Sequence, residues 1–85
     1  MEMESRVALI GIIVEEKESV AALNEILHTY SQYIIGRMGL PYSKRDISVI
    51  SVAVDAPTDI ISSITGKIGM LSGVTAKSLM AKMDN

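Results

Sequence analysis

The residues best suited to chemistry gather in one stretch near the middle of this 85-residue chain, Tyr33-Ile34-Ile35-Gly36-Arg37-Met38-Gly39-Leu40-Pro41-Tyr42. Arg37 is the one charged residue in it. A guanidinium presents a planar fork of donors that matches a carboxylate or a phosphate. Glycines beside it let backbone approach a ligand closely. Tyr42, after the proline, joins an apolar ring to a polar hydroxyl and suits a ligand contact or an interface anchor. Arg37, Gly39 and Tyr42 are therefore the candidate binding residues. A structural reading of Arg37 competes and is favoured. In it, the arginine pairs with an acid of its own or a partner chain and guards an edge strand against unwanted pairing.

Other chemistry is sparse. Gly66-Lys67-Ile68-Gly69 repeats the Gly-cation-apolar-Gly pattern of residues 36–39. Neither has the longer glycine-rich span of a phosphate-binding loop, and Lys67 reads as an exposed helix residue. His28 is the only histidine. It falls near the end of a helical stretch, where a protonated imidazole would suit the helix dipole. No acid or thiol is placed beside it by the sequence. Glu15, Glu16 and Glu18 could complete a carboxylate metal set with it, but a solvated turn is the simpler reading. No catalytic residue, metal or cofactor is implied. An enzyme with His28 or Tyr42 as acid or base is the alternative class. A deep closed pocket holding His28 beside a carboxylate would favour it.

The chain has no cysteine. That excludes a disulfide scaffold, a thiolate metal site and a cysteine nucleophile. It also favours a reduced, cytoplasmic setting, because small secreted domains generally need staples. Net charge is −2, and Lys44-Arg45 is the only adjacent basic pair. Direct nucleic-acid binding is disfavoured, since it draws most of its affinity from clustered cations. The uncharged apolar run Val7 to Val14 is too short to span a bilayer. Met1-Glu2-Met3-Glu4 is acidic, unlike the basic start of a signal peptide.

The elements that must position these residues are legible from periodicity. Arg6 to Val14 and Ile47 to Ala56 are apolar on both alternating faces, the pattern of central strands. Gly11 suggests a bulge or a close backbone approach. After the polar turn Glu15 to Ser19, Val20, Leu23, Leu27 and Tyr30 repeat with helical spacing, and Ser19 or Glu18 can open that helix. Tyr30 reads as core. The second strand runs from about Tyr33 to Leu40 and ends at Pro41, as an edge strand. Pro57 to Asp59 open a second helix with Ile60, Ile61, Ile64, Ile68 and Leu71 on one stripe, ending at Gly66 or Gly69. Val74 to Met83 is the last strand, with Lys77 and Lys82 marking an exposed edge.

The order β-α-β-β-α-β predicts an α+β, ferredoxin-like split βαβ fold: a four-stranded antiparallel sheet with two helices on one face, in a single domain over residues 1–85. Two helices leave the other face of the sheet uncovered. With 48% apolar residues, that face should exceed the apolar patch a monomer tolerates, which predicts a homo-oligomer, a dimer or tetramer. Met70, Met80 and Met83 read as adaptable fillers at such an interface.

Val20-Ala21-Ala22-Leu23-Asn24-Glu25-Ile26-Leu27, Gly36-Arg37-Met38-Gly39-Leu40-Pro41-Tyr42, Ile47-Ser48-Val49-Ile50-Ser51-Val52 and Gly66-Lys67-Ile68-Gly69 together resemble a small family of iron-only hydrogenase system regulators. The Arg-Met-Gly-Leu-Pro-Tyr run is the most specific part. That family is similar in fold to ACT domains and to the C-terminal domain of the nickel-responsive repressor. The resemblance implies an oligomeric regulatory module, tied to hydrogenase or its maturation, that binds a small-molecule effector or a protein partner. Two departures limit it. ACT domains that bind amino acids commonly carry a glycine between the first strand and first helix, and Glu15-Glu16-Lys17-Glu18-Ser19 has none. Nickel sensing uses histidines and a cysteine, and this chain offers only His28. It also lacks that repressor's N-terminal DNA-binding ribbon, so a transcriptional role would need a partner protein or an unrecognised surface.

Overall fold

The computed structural model describes residues 4–82. β1 (Ser5–Val14) is followed by a 3-10 turn at Lys17–Ser19 and helix α1 (Val20–Thr29). A second 3-10 turn, Ser31–Tyr33, leads into β2 (Ile34–Tyr42), then β3 (Ile47–Pro57), helix α2 (Thr58–Gly69) and β4 (Val74–Met80). The sheet order is β2-β3-β1-β4, with antiparallel pairing throughout. The two doubly apolar strands are central, and the strands carrying Arg37 with Pro41 and Lys77 are the edges.

Strand periodicity divides the sheet into two faces. Ala8, Ile10, Ile12 and Val14 of β1 and Ile50, Val52, Val54 and Ala56 of β3 are buried beneath the helices. Leu23 and Leu27 of α1 and Ile61, Ile64 and Ile68 of α2 close this core from above. Each helix contributes one apolar stripe at three- and four-residue spacing, so one layer of two helices suffices for one face of the sheet.

The loops at one end are tied together by polar contacts. Ser19 occupies the residue before α1, yet its hydroxyl does not cap that helix. It donates to the Ser72 carbonyl at 2.5 Å, linking the start of α1 to the α2–β4 turn. Ser19 is 8% exposed, so Ser19→Ala leaves that carbonyl short of a partner, and a loss of about 1 kcal/mol is expected in denaturant unfolding.

Several expected details differ. β2 does not stop at Pro41. It continues to Tyr42, with Pro41 opposite Ser48. An edge strand has one row of amides that needs no partner, so a proline there costs no ladder bond. Gly11 marks neither a bulge nor a close approach. Both β1 registers run through it unbroken, and a Cβ there would meet only the Lys77 carbonyl oxygen, at 4.0 Å. β4 ends at Met80, although the Ala81 amide still donates to the Val7 carbonyl at 2.9 Å. Met83, the tail Asp84-Asn85 and the initial Met1-Glu2-Met3 lie outside the described residues. No described helix is long and apolar enough to cross a membrane.

Candidate functional site

A β-bulge in β2 decides where its side chains go. Ile34 stands opposite Val54, but Gly36 stands opposite Ala53, so Ile35 is the extra residue. One added residue inverts the faces of everything after it. Arg37 and Gly39 consequently stand opposite Val52 and Ile50, on the helix side of the sheet. Met38, Leu40 and Tyr42 stand opposite Ser51, Val49 and Ile47, on the open side. The three candidate residues therefore do not form one site. Arg37 and Gly39 share one face, and Tyr42 belongs to the other.

On the helix side, Arg37 reaches α1 across the edge of the sheet. Its Nη2 donates to Asn24 Oδ1 at 3.2 Å. Among the described residues no acid lies within ion-pair distance of it; the exposed pair Lys17–Asp46, at 3.5 Å, is elsewhere. Within the chain, an amide contact thus stands where an acid of its own was expected beside the edge-guarding arginine. Asn24, Leu27, His28, Ser31, Ile34 and Arg37 surround a depression of about 380 Å3. His28 sits in the last turn of α1, as expected, and no carboxylate lines the depression around it. Gly39 has no atom within 4 Å of where a Cβ would stand. Gly39→Ala is therefore expected to raise the unfolding free energy by about 0.5 kcal/mol in a denaturant titration, by removing glycine's excess freedom from a strand interior.

Lys67 is exposed but engaged. Its Nζ donates to the Tyr30 hydroxyl at 2.8 Å and lies 5.2 Å from the centre of that ring. Tyr30 is half-buried against the core, with its hydroxyl held at the rim between the two helices. The second Gly-cation-apolar-Gly stretch thus serves helix packing.

On the open side, the exposed large apolar residues are concentrated. Val7, Leu9 and Ile13 of β1, Val49 of β3, Met38, Leu40 and Tyr42 of β2 and Leu79 of β4 all point there, between 40% and 71% exposed. Only two strand positions on that face carry charge, Asp55 opposite Val7 and Lys77 opposite Gly11. The methionine of this face is Met38. Met80 faces the helix side and packs against the core, and Met70 is exposed at the end of α2, so neither lies on the open face.

A family model described as "TM1266-like: Iron-only hydrogenase system regulator, putative" matches residues 6–78, which takes in β1 through most of β4 and both faces of β2. The chain belongs to this family. A TM1266-like relative of known structure, the uncharacterized protein TM1266 from Thermotoga maritima, is 30% identical. The alignment covers 93% of this chain and 100% of that one, with a TM-score of 0.89. No curated protein matches the chain. As a TM1266-like chain, it shares its fold with that structure along nearly its whole length, and the family is described as one of hydrogenase system regulators.

Proposed function

We propose that this chain is a non-enzymatic regulatory module of the iron-only hydrogenase system that works in the cytoplasm as a symmetric homo-oligomer built through the open sheet face. The observation that carries this reading is that face. Eight large apolar side chains lie on it, each four- to seven-tenths exposed. Their combined surface is several hundred Å2, on the scale of the roughly 800 Å2 that each partner gives to a standard interface. Soluble monomers rarely leave so large a contiguous patch open. Asp55 and Lys77 are of opposite sign, so a second copy meets the face without net repulsion. A two-fold axis makes such a patch complementary to itself. Tyr42, at its edge, is an interface anchor.

Regulation then follows as a population shift, in which an effector or protein partner that binds one subunit arrangement more tightly favours it. A transcriptional role runs through a partner, because the basic residues are scattered along the chain and only Lys44-Arg45 are adjacent. His28 lies in an open depression at the end of α1, which favours a binding module over an acid–base enzyme with a deep closed pocket. The test is the double substitution Leu9→Lys with Leu79→Lys, at directly opposed positions of β1 and β4. Light scattering should report a monomer whose far-ultraviolet circular dichroism is unchanged. An unchanged oligomer mass in the folded double variant overturns the assignment of this face.

A further inference from the structure

The depression between α1 and β2 has the chemistry of an anion site. Its rim carries hydrogen-bond donors: the Arg37 guanidinium, the Asn24 amide, the Ser31 hydroxyl and the His28 imidazole. No aspartate or glutamate lines it. Asn24 Oδ1 accepts from Arg37 Nη2, which steadies the guanidinium and leaves the Asn24 amide nitrogen with both donors free for a ligand. Asparagine is a poor residue for the middle of a helix, so α1 carries it at a cost that this contact and a ligand would offset. The floor is apolar, formed by buried Leu27 and half-buried Ile34.

We infer that this depression binds a small aliphatic carboxylate, with its head on Arg37 and Asn24 and its carbon tail over Leu27 and Ile34. The depression of about 380 Å3 is open to solvent and has room for a small ligand. A single guanidinium matches the single charge of a carboxylate, and its planar fork fits the two oxygens. The C-terminal end of α1 is nearby, and its exposed carbonyls disfavour an anion. That effect is weak and falls off within the last turn, whereas Arg37 offers a direct charge-assisted hydrogen bond, so the arginine contact prevails. The proposal gives the effector of the regulatory reading a place and a chemical class. It does not depend on the oligomer, because the depression lies on the helix side and stays open when the opposite face is covered.

The probe is butyrate, titrated into the full-length protein and followed by amide and side-chain chemical shifts. Saturable shifts confined to residues 24–37 are expected. They should weaken at least tenfold in Arg37→Ala and several-fold in Arg37→Lys, which keeps the charge but loses the fork. Butylamine, with a matching tail and the opposite charge, should cause none. The Leu9→Lys, Leu79→Lys variant should bind butyrate as the parent does, so that a failure of the oligomer reading is distinguishable from a failure of this site. Absence of saturable shifts, equal affinity in a folded Arg37→Lys variant, or saturation by inorganic phosphate but not butyrate overturns the proposal.

Discussion

Truncating Ile12 to alanine is expected to lower the unfolding free energy by about 3 kcal/mol. Ile12 is 1% exposed, in the strand at the centre of the sheet, opposite Ile50 on one side and Ala76 on the other. It faces the two helices, so deleting three carbons opens a void that only a shift of the helix layer could close. Small domains rarely exceed the low end of the usual 5–15 kcal/mol of stability, and the loss is a large part of the total. Guanidinium unfolding followed by circular dichroism at one fixed protein concentration measures it, because the stability of an oligomer depends on concentration. Ile13→Ala makes the matching control. Ile13 is the neighbouring residue on the open face and is 41% exposed. Its loss should be well under half that of Ile12 when subunits are dissociated, and should grow on assembly.

Gly73→Ala is expected to cost about 2 kcal/mol or more. Gly73 has a φ of +68°, in the left-handed region that disfavours a side chain. A Cβ there would also stand 2.5 Å from Glu16 Cγ and 2.9 Å from Glu16 Cβ. Glu16 cannot yield freely. Its carboxylate accepts from Ser72 Oγ at 3.0 Å, and the adjoining Glu15 amide donates to the Gly73 carbonyl at 2.7 Å. The substitution therefore strains the turn and disrupts the link between the β1–α1 and α2–β4 loops. In an E16G background the atoms it strikes are gone, and the residual cost of G73A should fall to that of the backbone conformation alone. An undiminished cost in that background would show that the contact with Glu16 contributes nothing.

The architecture was legible because its signals are periodic. Two nine- to ten-residue runs rich in isoleucine and valine can only be central strands, and one proline with scattered charges marked the edges. The open apolar face followed from counting layers: two helices cannot cover both sides of a four-stranded sheet. The candidate site was less legible, and the bulge at Ile35 is the reason. Nothing in Tyr33-Ile34-Ile35-Gly36 announces an extra residue, yet that residue inverts every side chain from Gly36 to Tyr42. Without it Arg37 would stand on the open face, and with it Arg37 meets Asn24. The partnership of Arg37 and Asn24 had one visible trace, an asparagine in mid-helix, but periodicity could not say which strand faces it. Pro41 does not stop the strand, because the unpaired side of an edge strand accepts a residue without an N–H.

Sedimentation equilibrium of the unmodified protein at micromolar concentration tests the central claim most directly. The chain mass is 9.2 kDa, and assembly through the open face about a two-fold axis predicts a homogeneous mass of two chains. A single species of one chain's mass would contradict it, and would leave the eight exposed apolar side chains of that face for a different partner.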